Sequence, residues 1–284
     1  MKAIVQIVHG ISEYVERYDA LAQFLSDHGI LVVAEDHMGH GKSIGGDGKP
    51  GYFAGGWFAA TKDTYHLLAE TMAEFPDVPY ILLGHSMGSF LVRTILCQYP
   101  DSGISAAIIS GTGWQSNLTV MFGKLISDLV CQLSGEQTPS RFLRKLCFGM
   151  YNARIKSPKT PYDWVLSDEA LMASYIADPL CGGLVPSAGL MRDLMVGIRY
   201  IQQTSNLENM NKNLPVLFVS GQEDPVGDYG KGVTRTADAF KSVGMDNVMV
   251  KLYTGCRHEV HNEPNRQVLF DDLLQWLKDH VLNL

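Results

Sequence analysis

Short apolar runs alternate along this chain with longer segments in which apolar residues recur at helical spacing. The short runs predict six strands, at about 3–8, 30–35, 79–84, 105–110, 215–220 and 247–253. Strands that alternate with helical segments are typical of a parallel sheet joined by crossover helices. The pattern therefore predicts an α/β fold with a mainly parallel sheet and helices on both of its faces.

Three helical segments have recognisable ends or faces. The segment 17–29 closes at Gly29, a residue favoured directly after a helix. The last helix is predicted to begin at Pro264, because proline suits the first helical turn. A longer helix is predicted after Gly56, with a buried side formed by Trp57, Phe58, Tyr65, Leu68 and Met72.

The alternation of strands and helices stops between about 111 and 213. This stretch is rich in Met, Leu, Phe and Trp at helical spacing and has no strand pattern. We predict a core formed by residues 1–111 and 214–284, with a helical insertion at 112–213. The insertion is either a subdomain with its own core or a cap that walls an apolar pocket, and different faces can serve both purposes.

The composition allows a large core and bears on location. With 284 residues and 46% hydrophobic content, the chain can bury one extended core. No stretch of eighteen apolar residues occurs, so no membrane span is predicted. The apolar run near Met1 is too short for a signal peptide and no cleavage site follows it, so we expect a cytoplasmic protein.

The net charge argues against two kinds of partner, and the cysteines indicate a reducing environment. The formal charge of −7, with no basic stripe, argues against nucleic acid and against electrostatic docking on anionic lipid. The five cysteines are scattered and form no C-x-x-C pair, which is typical of reduced thiols in a cytosolic protein.

One glycine-flanked serine lies between a predicted strand and a predicted helix. The motif Gly84-His-Ser86-Met-Gly88 follows the apolar run 79–84, and a helical spacing continues from it to Pro100. In this setting G-x-S-x-G is typical of a nucleophile elbow, where glycines permit a sharp turn and the serine is held outward. Ser86 is therefore the candidate nucleophile.

A second match to the motif, Gly41-Lys-Ser43-Ile-Gly45, has a different context. It follows the strand at 30–35, but the run of turn residues at 45–51 comes after it and cannot begin a helix. We interpret Ser43 as a chance match. The segment is not a phosphate-binding loop either, because that motif requires a glycine where this chain has Asp36.

A serine nucleophile needs a base, and the base needs a carboxylate that fixes its tautomer. In strand-turn-helix hydrolases the acid and then the histidine follow the serine along the chain, each after a late strand. The loop after the strand at 215–220 favours Asp224, and the loop after the strand at 247–253 favours His258. The alternatives in the same loops are Glu223, Asp228 and His261.

A tetrahedral intermediate also needs two backbone N–H groups for its oxyanion. Met87, directly after the serine, supplies one of them. The turn at His9-Gly10, after the first strand, would present the N–H of Ile11.

No metal or cofactor is expected. His37 and His40 lie close to Asp36 in the sequence, but no third ligand follows at a familiar spacing. The segment 258–261 is not the H-E-x-x-H motif of zinc hydrolases.

Five segments together resemble the α/β-hydrolase superfamily and, more narrowly, its monoacylglycerol lipase and lysophospholipase branch. They are HGISEYVERY at 9–18, DHMGHGKS at 36–43, GHSMG at 84–88, GQED at 221–224 and HEVHNE at 258–263. The first two are specific to this branch, whereas G-x-S-x-G is not. The resemblance covers the core on both sides of the insertion.

The resemblance also implies roles for individual residues. It implies Ser86 as nucleophile, Asp224 as acid, His258 as base, and the N–H groups of Ile11 and Met87 as oxyanion donors. It assigns no nucleophilic role to the loop that holds Ser43. Polar residues under the site, structural or on the leaving-group side, would be Glu13, Arg17 and His85.

The chain departs from the family pattern at its start. Such proteins begin with two antiparallel strands ahead of the strand that ends in His-Gly, and here Met1 stands almost at that strand. The strand at 30–35 would then be an uncovered sheet edge, and an unpaired apolar edge invites association. We expect low solubility or self-association through this edge.

These features predict a cofactor-free serine hydrolase that forms an acyl-enzyme from a carboxylic ester. An apolar cap suits an acyl chain, so monoacylglycerols, lysophospholipids and medium-chain esters are the expected substrates. An amidase, an aminopeptidase or an acyltransferase would use the same residues, and a non-catalytic binding module is the alternative from another class. A peptidase would need an acid in the cap, and the acids available are Glu136, Asp163, Asp168, Glu169 and Asp178.

Overall fold

The computed structural model describes residues 1–44 and 49–282, and its centre is a parallel six-stranded sheet. The strands are β1 Ala3–Val8, β2 Ile30–Ala34, β3 Tyr80–His85, β4 Ala106–Ser110, β5 Val216–Gly221 and β6 Val248–Tyr253. Their order in the sheet is β2-β1-β3-β4-β5-β6. The predicted α/β class and parallel sheet are therefore confirmed, and apolar clusters lie on both faces of the sheet.

Ten α-helices connect or cover these strands in the described chain. They are α1 Asp19–Asp27, α2 Trp57–Glu74, α3 Met87–Gln98, α4 Asn117–Ser134, α5 Arg141–Phe148, α6 Glu169–Ala177, α7 Ala188–Ile201, α8 Thr204–Leu207, α9 Lys231–Ser242 and α10 Arg266–Leu277. None of them is both long and apolar enough to cross a membrane.

Two details of the helix predictions were wrong. The last helix begins at Arg266 and not at Pro264, because Pro264 lies in a turn that the Arg266 N–H closes on the Glu263 carbonyl. Phe58 is 42% exposed, since the buried face of α2 follows Trp57 and Leu68 at helical spacing and Phe58 lies about 100° away from it.

The register of the strands brings the functional loops together. Val8 at the end of β1 is paired with Gly84, and His85 at the end of β3 is paired with Ser110. Because all strands are parallel, their carboxyl ends meet at one edge of the sheet. The loops that follow β1, β3, β5 and β6 therefore converge at that edge.

The region between β4 and β5 is helical, as the sequence indicates. It contains α4 to α8, and α4 packs against α7. Leu190, Leu194 and Ile198 of α7 belong to the main apolar cluster together with residues of α3. The helix α7 thus packs on α3 within this cluster, and the division at 112–213 remains a prediction.

Strand β2 is the last strand at its side of the described sheet. Its central residues, Leu31, Val32 and Val33, are only partly buried. Self-association through this edge remains a prediction. Ser43 lies in a short 3-10 turn, Gly41–Ile44, and most of the predicted turn run after it, residues 45–48, lies outside the described residues.

Candidate active site

Ser86 occupies a sharp turn between β3 and α3. Its backbone has φ 54° and ψ −120°, in a region that residues with a side chain rarely adopt. Such a conformation costs about 1–3 kcal/mol and persists only where the surrounding structure enforces it. Ser86 is also partly exposed, whereas His85 and Met87 on either side of it are buried. The turn therefore presents the serine to the outside of an otherwise closed core.

The two flanking glycines leave no room for a side chain. A β-carbon on Gly84 would lie 2.5 Å from the carbonyl oxygen of Gly88. A β-carbon on Gly88 would overlap the carbonyl oxygen of Val8, the last residue of β1. Both obstacles are backbone atoms, which cannot move aside as a side chain can. The motif is thus required by the close packing of α3 onto the ends of β1 and β3.

Asp224 and His258 are joined by a hydrogen bond. His258 Nδ1 lies 2.9 Å from Asp224 Oδ2, and both side chains are almost fully buried. The carboxylate also accepts hydrogen bonds from the hydroxyl of Ser220 and the backbone N–H of Val226. These contacts fix the carboxylate and favour the His258 tautomer that carries its proton on Nδ1. Nε2 is then available as a base.

Opposing effects set the pKa of His258. Burial alone would lower it, but the charge of Asp224 and the hydrogen bond to it raise the pKa above the ordinary value. Trp164 contributes to this burial, because its ring centroid lies 5.2 Å from that of His258. No pattern in the sequence indicates this position for Trp164, which comes from the helical region between β4 and β5.

The alternative acids, Glu223 and Asp228, and the alternative base, His261, do not form such a pair in the described chain. Asp228 is exposed, and Glu223 is exposed beside Arg257, with the nearest charged atoms 4.0 Å apart. His261 stacks on Tyr18 with ring centroids 4.4 Å apart, and burial lowers its pKa to about 4. Only the Asp224 and His258 pair of these candidates is joined by a hydrogen bond in the described chain.

His258 lies close to the serine turn, although the two come from different loops. The ring centroid of His258 lies 4.6 Å from that of His85, the residue before the serine. Trp164, which packs on His258, lines the same cavity as Ser86. Within the described residues, the side chain of His258 forms a hydrogen bond with Asp224 and none with Ser86. Hydrogen bonds between a nucleophile and its base are often long without substrate.

The loop after β1 lies directly beside the serine. A β-carbon on Gly10 would be 2.9 Å from the β-carbon of Ser86. Ile11 and Met87 line the cavity together with Ser86. The turn and loop hydrogen bonds of the described chain use neither the Ile11 N–H nor the Met87 N–H as a donor. Both groups are therefore available to a ligand.

Three buried histidines, His9, His37 and His40, cluster at the loop that follows β1. The His37 N–H donates to Nε2 of His9, so His9 carries its proton on Nδ1 and donates to the carbonyl of Gly10. His37 Nε2 donates in turn to the carbonyl of His9. Burial lowers the pKa of His37 to about 3 and that of His40 to about 4, so the cluster is neutral. Neighbouring Asp36 accepts from the backbone of Val15 and Lys42 and is not part of the cluster.

A second buried network lies below the same loop. Glu13 accepts hydrogen bonds from the N–H of Gly10 and the hydroxyl of Tyr18, and Arg17 donates to Glu259. Burial, and then the charge of Glu259, raise the pKa of Glu13, while Arg17 opposes the shift. His85, the third residue assigned by resemblance, is 1% exposed and its Nδ1 bonds to the hydroxyl of Ser110. Glu259 is a member of this network that sequence reasoning did not single out.

The cavity at Ser86 has a volume of about 280 Å³ and a largely apolar wall. Its wall comes from α3, α4, α5 and α7, and no residue that lines it in the described chain is charged. The apolar wall includes Phe90, Val120, Phe122, Leu146, Leu194 and Met195. The site thus pairs a buried polar arrangement with an apolar space.

Known proteins resemble the chain in sequence. The sequence model of the family described as "Serine aminopeptidase, S33" matches residues 1–265. The monoacylglycerol lipase of Mycolicibacterium smegmatis is 30% identical over 99% of this chain and 89% of its own length. The monoglyceride lipase of Mus musculus is 28% identical over 92% of this chain and 77% of its own.

Solved structures resemble it in fold. A thermostable carboxyl esterase from Bacillus coagulans matches with a TM-score of 0.91 and 28% identity, over 98% of this chain and 90% of that one. A soluble variant of the monoglyceride lipase from Saccharomyces cerevisiae matches with a TM-score of 0.79 and 23% identity, over 99% and 87%. The chain belongs to the serine aminopeptidase S33 family of the α/β hydrolases, in the branch that resembles monoacylglycerol lipases, and is a hydrolase of the lipase and esterase type.

Proposed function

We propose that this chain is a serine ester hydrolase that works through an acyl-enzyme. The observation that carries the proposal is the hydrogen-bonded Asp224 and His258 pair, close to a strained serine turn that opens into an apolar cavity. Asp224 orients His258, and His258 takes the proton of Ser86 as the hydroxyl oxygen attacks the ester carbonyl carbon. Asp224 and His258 follow Ser86 along the chain, after β5 and β6, which is the order typical of this chemistry.

The oxyanion forms next to two unused N–H groups. As the carbonyl carbon becomes tetrahedral, its oxygen gains negative charge, which the N–H groups of Ile11 and Met87 stabilise. His258 then gives its proton to the departing alcohol, which leaves an ester on Ser86. Water attacks this acyl-enzyme with His258 as base, and the carboxylic acid is released. No metal or cofactor takes part in these steps.

The cavity favours an acyl chain as the part of the substrate next to Ser86. Its apolar wall gains free energy from covering a hydrocarbon, at roughly 25 cal/mol per Å² of buried surface. Monoacylglycerols and medium-chain esters are therefore the substrates we favour, in agreement with the names of the sequence relatives. Glu13 and His85 are buried and bonded to backbone or core hydroxyls, which supports a structural role for both.

An aminopeptidase activity is the second candidate, because the family description names it. A peptidase would hold the substrate amine with an acid, yet the described cavity wall contains none. The acids of the insertion have other partners: Glu136 pairs with Arg192, Asp163 with Thr160 and Glu169 with Lys159. Asp178 accepts from Tyr14, and Asp168 caps α6. This distribution favours the ester.

Covalent labelling tests the proposal. A fluorophosphonate should add one equivalent to Ser86, located by mass spectrometry of peptides, and Ser86→Ala should remove the adduct and the hydrolysis of p-nitrophenyl octanoate together. Ser43→Ala is the matched control and should change neither. An unlabelled Ser86 in folded protein would indicate a non-catalytic binding module, and faster cleavage of an aminoacyl anilide than of the ester would favour the peptidase.

A further inference from the structure

A second cavity, of about 580 Å³, lies beside the first and shares a wall with it. The segment 163–168 forms this wall: Asp163 and Leu166 line the second cavity, whereas Trp164 lines the cavity at Ser86. The segment is anchored to the loop that carries the base, because the His258 N–H donates to the carbonyl of Trp164. The second cavity is therefore separate from the catalytic one and built from a fixed part of the fold.

The floor of the second cavity is apolar. Leu166, Met172 and Ile176 line it, and Met172 is buried. Residues from the neighbouring loop, including Ile155, extend the apolar surface. Its volume lies within the range of about 300–1,000 Å³ that is typical of small-molecule sites. A hydrocarbon chain is the group that such a floor covers with a gain in free energy.

A fixed cation stands at the wall of this cavity. One terminal nitrogen of Arg257 donates to the carbonyls of Asp163 and Leu166, at 2.6 and 2.8 Å, which holds the guanidinium in place. Its Nε–H is buried and has no hydrogen-bond acceptor among the described residues, and the nearest carboxylate oxygen, on Glu223, is 4.0 Å away. Its second terminal nitrogen donates to none of the described residues and is not buried, so this end of the guanidinium can donate to an anionic ligand in the cavity.

The acids around the cavity already have partners. Asp163 accepts from the Lys159 N–H and the Thr160 hydroxyl, and Glu169 pairs with Lys159. Asp168 accepts from two backbone N–H groups at the start of α6. Lys156 also lines the cavity and forms no ion pair within the described part of the chain. Lys156 and Arg257 are thus the cations in the cavity wall that can still pair with an anion.

We propose that this second cavity binds a long-chain carboxylate. The alkyl chain lies on Leu166, Met172 and Ile176, and the carboxylate accepts from the second terminal nitrogen of Arg257 and pairs with Lys156. The ligand belongs to the class of acid that the proposed reaction releases, but binding at this cavity does not depend on hydrolysis.

Titration calorimetry with laurate, below its micelle-forming concentration, tests the proposal on the wild-type chain. We expect two laurate molecules per chain, one in each cavity. Ala173→Trp fills the second cavity from an exposed position on α6 and should reduce the number to one. Ser174→Trp, the next residue of α6, does not line the cavity and should leave it at two. An unchanged number in Ala173→Trp would overturn the proposal.

A second pair of measurements tests recognition of the carboxylate. Lys156→Glu should weaken laurate binding at the second cavity by roughly fivefold, the effect of about 1 kcal/mol from an exposed charge. Dodecanol has the same chain without the charge and should bind this cavity more weakly than laurate does. Equal binding of dodecanol and laurate, or no effect of Lys156→Glu, would contradict the assigned carboxylate contacts. Both outcomes can be read whether or not Ser86 reacts with a fluorophosphonate.

Discussion

The loops at the sheet edge and the helical region above them are built by different kinds of contact. At the edge, backbone meets backbone: Gly88 packs on the Val8 carbonyl, and Gly84 packs on the Gly88 carbonyl. On the side of the helical region that faces the cavity, Gly123 of α4 instead faces the flexible side chain of Met195. The difference indicates that the edge fixes the geometry of the reaction, while the helices can change the shape of the cavity without disturbing it.

Exposure to solvent also differs between the helical region and the helix α3 that follows the serine turn. Large apolar side chains on α4 and around α5 are exposed, whereas every residue of α3 from Met87 to Cys97 is buried. Two of the exposed residues, Phe122 and Leu146, also line the cavity at Ser86. The exposed apolar side chains on α4 and around α5 are Leu118, Met121, Phe122, Leu125, Leu129, Leu133, Phe142, Leu146 and Met150.

The largest expected effect comes from the polar pair at the sheet edge. Asp224→Asn should lower kcat for p-nitrophenyl octanoate by about 10⁴, the loss that the same change causes in a serine protease, because His258 would adopt the wrong tautomer. The thermal unfolding midpoint serves as the check that the variant is folded. Glu223→Gln is the matched control in the same loop and should retain activity. A similar loss in both variants would contradict the assignment of Asp224.

A pair of glycine substitutions compares the two regions directly. Gly88→Ala should destabilise the protein by about 3 kcal/mol and lower kcat by at least about 10²-fold, because its β-carbon meets the Val8 backbone. Gly123→Ala should fold normally, since the Met195 side chain can move and alanine favours the helix. Urea unfolding and ester hydrolysis measure both effects. Equal effects of the two substitutions on the free energy of unfolding and on kcat would contradict this difference between the regions.

The same contrast explains how much the sequence could predict. The serine turn was predictable because its requirements are local: a strand, two glycines and a helix within one segment. The parallel α/β class was predictable from the alternation of patterns and is confirmed. By contrast, the choice of Asp224 over Glu223, or of His258 over His261, depends on distances between loops that spacing does not determine.

The sequence was least informative where packing is not local. Trp164 covers His258 from the helical region between β4 and β5, and nothing in its own segment of the sequence indicates that position. Phe58 was placed on the wrong side of α2, since the apolar face of a helix is fixed by what packs on it. A metal site at His37, His40 and Asp36 was rejected on spacing alone, because the hydrogen bonds of the two histidines to backbone carbonyls cannot be seen in the sequence.

A moderate effect is expected when the cavity is narrowed from the helical side. Gly123→Val should lower kcat/KM for a long-chain ester by about tenfold relative to p-nitrophenyl acetate, because the added methyl groups occupy space beside Met195. Lys124→Val is the control on the same helix and does not line this cavity. The ratio of the two esters in each variant is the measurement. A uniform loss on both esters would place Gly123 in the geometry of the reaction and not in chain selection.

The smallest expected effect is a shift in pH dependence, and the two regions should move it in opposite directions. Only neutral His258 can act as a base, so kcat/KM falls as the pH drops below its pKa in the free enzyme. The helical region lowers this pKa by burial under Trp164, and the sheet edge raises it through Asp224. Trp164→Ala should therefore move the acid limb for p-nitrophenyl acetate to higher pH, and Asp224→Asn should move it to lower pH. Shifts in the same direction would show that the two regions do not act on His258 independently.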